Sequence, residues 1–193
     1  MKILTCTFVG MVVVAAIWYA PHYLAYADKP AKADVVVLII GYDYNARKKE
    51  AIKLIEDGYA QHLVIPAFGA VYGHSMLDKI PRLTRIGKAG GMANKKIYPR
   101  HYEDTHIEVL EAKQMMEKAG FRSAIFVSSP LHMRRIKTIT GKVFDDGSGN
   151  IRFVPARYSK EPERFWLLNC HGTENVITEY LKMTWFLIYG MFN

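Results

Sequence analysis

The segment Ala124-Ile-Phe-Val-Ser-Ser-Pro-Leu-His-Met-Arg-Arg135 sets two hydroxyls, an imidazole and a guanidinium directly behind a short apolar run. Ile125 to Val127 read as a buried strand, Ser129 as a helix N-cap and Pro130 as the first helical residue, where a missing N–H would be unpaired in any case. His132 and Arg135 then share one face of the first turns. Free backbone N–H groups, a hydroxyl, an imidazole and a guanidinium at the carboxyl end of a strand suit an anionic ligand. The plain alternative is a basic, solvated first turn with a capping serine.

Two further loops carry compatible chemistry. In Gly41-Tyr-Asp-Tyr-Asn-Ala-Arg47, Gly41 allows close backbone approach to a ligand, Asp43 is an acid and Arg47 a cation at the start of a helix. The G-x-G-x-x-G fingerprint of dinucleotide sites is absent. In Tyr102-Glu-Asp-Thr-His-Ile-Glu108, Asp104 or Thr105 caps a helix and Glu108 closes a capping-box-like arrangement. A functional reading gives Thr105 an oxyanion to hold and Glu108 the task of orienting a histidine or acting as a base. The candidate catalytic pair is therefore His132 and Glu108, and the candidate ligand-binding set is Gly41, Asp43, Arg47, Thr105, Ser128, Ser129 and Arg135. The other histidines (His22, His62, His74, His101, His106, His171) stand apart, although His106 can reach the same edge. No H-x-x-x-H or C-x-x-C spacing occurs, so no metal and no obligatory cofactor is expected. Cys6 and Cys170 are placed too differently to pair.

These loops need a scaffold, and the chain supplies one. Residues 34–40 form a continuous β-branched run, as in a strand buried on both faces of a parallel sheet. Helices are expected over 46–57, 75–86, 105–119, 131–140 and 174–189, and strands over 62–65, 96–98, 123–127 and 151–154. Gly58 and Gly120 stand where helices end, and a turn is expected at 145–150. In the last helix, Val176, Ile177, Tyr180, Leu181, Trp185 and Ile188 outline a wide apolar face. Alternating strands and helices specify a doubly wound, mostly parallel α/β sheet with helices on both faces and the loops at one edge.

The N-terminal part is different in kind. From Ile3 to Ala20 the chain is uncharged and almost wholly apolar, with Trp18 and Tyr19 closing the run. It divides the chain into a membrane segment (1–27) and a globular domain (28–193). The run is longer than a signal core, so an uncleaved span is favoured. Ala25-Tyr-Ala27 also resembles a cleavage site, which would give a secreted domain. Either way the domain is expected outside the inner membrane; an anchor with the domain left inside is the third arrangement, since Lys29 and Lys32 compete with Lys2 across the run. The formal net charge is +8, and Lys2 is the one charged side chain before Asp28. A basic domain tethered to a bilayer suits anionic head groups or phosphorylated substrates. No basic stripe interleaved with aromatics argues for nucleic acid.

Four blocks in this order resemble the YdcF-like family of bacterial envelope proteins (the SanA/ElyC group, a domain of unknown function). They are Ala33-Asp-Val-Val-Val-Leu-Ile-Ile-Gly41 with Arg47 downstream, Glu103-Asp-Thr-His-Ile-Glu108, Val127-Ser-Ser-Pro-Leu-His-Met-Arg-Arg135 and Thr178-Glu-Tyr-Leu-Lys182. The third is the most specific, pairing the strand-end hydroxyl of Ser128 with His132 and Arg135. The resemblance implies a Rossmann-like domain behind a membrane segment, with roles in envelope integrity and in peptidoglycan and lipid-carrier metabolism. It leaves open an enzyme acting on phosphate esters or pyrophosphates, a non-catalytic module for S-adenosylmethionine or a nucleotide-like ligand, and a scaffold for cell-wall enzymes. The chain departs from the family at Pro66-Ala-Phe-Gly69, where a Ser-Gly turn is usual, and at Asp104 and Val109, where asparagines are usual.

Overall fold

The structure, a computed structural model, describes residues 2–81, 98–144, 150–159 and 166–191. Five strands form one sheet in the order β3-β2-β1-β4-β5: β1 (Val35–Leu38), β2 (His62–Ile65), β3 (Ala70–Gly73), β4 (Ala124–Ser128) and β5 (Ile151–Pro155). All neighbours are parallel except β3, which runs antiparallel to β2 at the edge. The central strand β1 is fully buried, as its unbroken apolar run requires.

Alternation of side chains along β1 divides the core in two. Val35 and Val37 face α3 (Asp104–Ala119), α4 (Met133–Val143) and α5 (Cys170–Tyr189), packing with Val109, Ile136 and Phe186. Val36 and Leu38 face α2 (Tyr44–Glu56), packing with Ala51, Leu54 and Ile55. The sheet thus carries helices on both faces. Left-handed glycines follow two of them, Gly58 after α2 (φ 77°) and Gly120 after α3 (φ 74°), as expected.

Several elements differ from the sequence reading. A 3₁₀ turn at Pro66–Phe68 and left-handed Gly69 send the chain back as β3, a four-residue strand too short to be legible from pattern. His74–Lys79 is a 3₁₀ turn rather than the start of an α-helix, and 82–86 lie outside the described residues. Of the strand expected at 96–98 only Tyr98 is described, in a bend; most of the turn at 145–150 is likewise outside. The helix after β4 opens as a 3₁₀ turn, Pro130–His132, before α4 begins. Helix α5 begins at Cys170, where the Asn169 side chain accepts hydrogen bonds from His171 N (2.9 Å) and Gly172 N (3.4 Å). Its core face is Val176, Glu179, Met183, Phe186 and Tyr189. Ile177, Leu181, Trp185 and Ile188, assigned to the apolar face from sequence, point outward instead.

The N-terminal helix α1 (Lys2–Leu24) contains an apolar stretch, Thr7–Leu24, long enough to cross a membrane. Its last turns belong to the globular part. Leu24 is fully buried among Trp166, Val176 and Met183, with Ala20, Leu131 and Tyr180 packed alongside. Tyr180 OH donates to Ala20 O (3.0 Å) and Arg134 Nε to Tyr23 O (2.9 Å). Beyond the helix, Asp28 pairs with Phe153 of β5 through its backbone N–H (2.8 Å) and its carboxylate (3.1 Å).

Candidate functional site

From adjacent β1 and β4 the chain departs to opposite sides, toward β2 and toward β5. Between their carboxyl ends the loops diverge and leave a crevice. There a cavity of about 240 Å³ is lined by Gly41, Tyr42, Arg47, Thr105, Ser128, His132, Arg135 and Lys182, among others. Three loops singled out from sequence do meet here. A larger cleft of about 1110 Å³ along α2 contains no histidine and none of the candidate residues.

Arg135 sits at the centre of one half of the site, 4% exposed. Its Nε and Nη2 donate to the two carboxylate oxygens of Glu179 (2.8 and 3.2 Å), and Nη1 donates to Glu103 (3.2 Å) and to Thr105 Oγ1 (2.6 Å). His132 Nδ1 lies 2.8 Å from Glu179 Oε1 and 3.1 Å from Arg135 Nη2. Burial opposes ionisation of Glu179, but the His132 ring and the Arg135 guanidinium outweigh it and hold the carboxyl at about 2. An ionised Glu179 requires a proton on His132 Nδ1, so the Arg135 approach to that nitrogen is proximity between two donors. Burial also pushes the His132 pKa below its ordinary value against the pull of Glu179. With Nδ1–H directed at Glu179, a ring without its second proton presents Nε2 as a proton acceptor.

The orienting carboxylate differs from the one expected. Glu108 does not touch His132; its Oε2 accepts from Ile40 N–H (3.2 Å) beneath the β1 loop. Burial drives the Glu108 pKa up to about 8 despite the Arg47 charge, so it is largely protonated at neutral pH. Nor does it close a capping box: the residue preceding α3 is Glu103, which makes no side-chain cap bond. Glu179, unassigned from sequence, takes the role. Its signal was present: with Val176, Met183 and Phe186 it falls on one helical stripe, and a lone carboxylate in a buried stripe needs a buried cation.

The other half of the site is a brace. Arg47, 2% exposed, donates to Asp43 Oδ1 (2.5 Å), to the carbonyls of Ile39 (2.9 Å) and Ile40 (2.8 Å), and to Ser129 Oγ (2.5 Å). Asp43 accepts in turn from Ser129 Oγ (2.7 Å) and Ser159 Oγ. Burial opposes its ionisation, but Arg47 and the hydroxyls hold its pKa below the ordinary carboxylate value. Arg47, Asp43 and Ser129 are thus spent on tying the end of β1 to the end of β4. Ser129 caps no helix, since the turn at Pro130–His132 has no side-chain cap bond. At Gly41 the missing side chain makes room for the Arg47 guanidinium, which a Cβ would strike.

What remains for a ligand is small and directional. Ser128 Oγ is fully buried, lines the cavity and makes no hydrogen bond. Thr105 Oγ1 already accepts from Arg135, so its own O–H is left to donate. His106 is elsewhere: it stacks on Tyr102 and Tyr189, and burial, with His101 adding, pushes its pKa down to about 4. Among the described residues no group of three His, Cys, Asp or Glu is placed to hold a metal ion. Comparison of the chain with family models, with curated proteins and with solved structures finds no match.

Proposed function

We propose that this is a YdcF-like envelope protein, anchored in the inner membrane with its domain outside, that acts on a phosphorylated, lipid-carrier-linked cell-wall intermediate. One observation carries the reading: a Glu179–His132 pair lines a cavity that also holds the unpartnered Ser128 hydroxyl and the Arg135 guanidinium. Because Glu179, Glu103 and Asp43 already balance Arg135 and Arg47, a phosphate is held by directed donors more than by net charge. The placement of α1 supports a lipid-linked substrate, since Ala20 and Leu24 pack with Leu131 in the turn that carries His132.

In the reaction proposed, His132 Nε2 takes a proton from a water as the water oxygen bonds to phosphorus. The bridging P–O bond breaks, and the protonated ring returns its proton to the departing oxygen. Phosphate release from a polyprenyl pyrophosphate by the full chain in detergent tests this. His132→Gln should lower turnover by about 100-fold or more. Ser128→Ala should weaken binding by about 2- to 10-fold, one neutral hydrogen bond, without lowering thermal stability. Undiminished turnover in His132→Gln would remove the catalytic assignment. Heat on titration with S-adenosylmethionine, with no product formed, would favour the non-catalytic binding module.

A further inference from the structure

We infer that the outward face of α5 is a lipid-contacting surface that rests in the bilayer between the anchor and the mouth of the cavity. The inference depends on the reading of α1 as a membrane span. At 100° per residue, Ile177, Leu181 and Ile188 fall together on the side of α5 opposite its core face, with Trp185 beside them. They are 49%, 65%, 48% and 48% exposed, and Leu167 and Leu168, just before the helix, are 55% and 85% exposed. A helix apolar on both its inward and outward sides is not complete in water.

The flanks of this stripe say what covers it. On one side, Tyr180 donates to Ala20 O of α1 and stacks on Tyr23 (6.3 Å between ring centroids), so the stripe is continuous with the anchor. Leu167 and Leu168 follow Trp166, which packs on Leu24. On the other side, Thr178 and Lys182 face the site. A cleft of about 390 Å³ lined by Leu181 and Trp185, with Glu103 at its site end, shares Asp104, Thr105, Arg135 and Lys182 with the cavity. Near the anchor, Arg134 lies over the rings of Tyr23 (4.4 Å) and Tyr26 (4.7 Å), and Lys137 over Tyr26 (3.7 Å). Aromatic rings capped by cations mark the level of anionic head groups. Acyl chains are therefore the occupant consistent with both flanks, and the stripe leads from them to the phosphate end of the site.

Nitroxide labels on the full chain in nanodiscs of mixed zwitterionic and anionic phospholipid test this. Both native cysteines are first changed to serine. Labels are then placed singly at Val12 in α1, at Leu181 and Ile188 on the stripe, and at Lys118 at the far end of α3; all four positions are exposed, so the fold is left intact. The ratio of oxygen to nickel-complex collisions should be several-fold higher at Val12, Leu181 and Ile188 than at Lys118. If Leu181 and Ile188 match Lys118 while Val12 stays in lipid, this inference fails and the anchor stands. An aqueous Val12 overturns the anchor reading itself. Dipolar broadening between Leu181 labels would assign the stripe to a second copy and would equally overturn the inference.

Discussion

Glu108 and Glu179 are both buried, yet they are held in opposite protonation states, and the difference lies in their donors. Glu179 receives two N–H bonds from Arg135 and one from His132, whereas Glu108 receives a single backbone N–H. Folding therefore raises the Glu108 pKa from 4.5 to about 8 and lowers that of Glu179 to about 2. Between pH 4.5 and 8 the native state keeps a proton on Glu108 that the unfolded chain has released. Stability must then fall as pH rises through that window, by at most about 1.4 kcal/mol per pH unit. Glu179 works in the opposite sense: its contribution is complete above about pH 4.5 and is lost as pH falls toward 2. Glu108→Gln keeps the acceptor for Ile40 N–H and removes the charge. Denaturation at about pH 6 and pH 8 should show a loss of stability in the wild type that the variant lacks; parallel losses would place the proton elsewhere. At this scale the sequence was legible where partners are near in the chain, as for His132 and Arg135. For Arg47 and Asp43, whose types suggested ligand binding, most hydrogen bonds go to each other, to the Ile39 and Ile40 carbonyls, and to Ser129 and Ser159, a brace that no local spacing announces. Glu179 lies 44 residues from Arg135, and no local spacing connects them.

Among elements, α5 shows why a face cannot be assigned from one helix alone. Apolar residues occur on both of its sides, so periodicity marks a helix without saying which side is inward. The choice falls to its neighbours, because the Val176–Met183 side meets Leu24 of α1 while the Ile177–Leu181 side meets no described element with that character. Strand β3 was missed for a related reason: Val71 and Tyr72 suit a strand, but four residues are too few to show a period, and the pairing follows from Gly69 reversing the chain beside β2. The docking of α1 onto α5 is testable as packing. Leu24→Ala opens a void among Trp166, Val176 and Met183 and should cost about 2–5 kcal/mol in detergent. Val12→Ala, at an exposed position of the same helix, should change stability by less than about 0.5 kcal/mol. Equal effects would mean that the end of α1 is not part of the domain core.

For the whole molecule, the alternation of strands and helices was enough to give the parallel sheet, its two covered faces and the edge where loops converge. What pattern could not give is the relation between the apolar N-terminal helix and the domain. Ala25-Tyr-Ala27 resembles a cleavage site, while the length of the apolar run before it favours an uncleaved span. The packing of α1 bears on the choice. Removal of residues 1–27 would strip Leu24 from its cluster, take away the carbonyls of Ala20 and Tyr23 that accept from Tyr180 and Arg134, and unstack Tyr26 from Phe153, leaving only the Asp28 pairing with β5. Each exposed partner would then carry an unmet apolar or polar demand. A leader destined for removal has no reason to complete the core it leaves behind. The protein expressed in a bacterial cell should therefore be recovered at full mass, with α1 attached, and should stay with the membrane after an alkaline carbonate wash. A mature chain beginning at Asp28 and melting as high as the full-length protein would overturn this, and with it the seating of the His132 turn on α1.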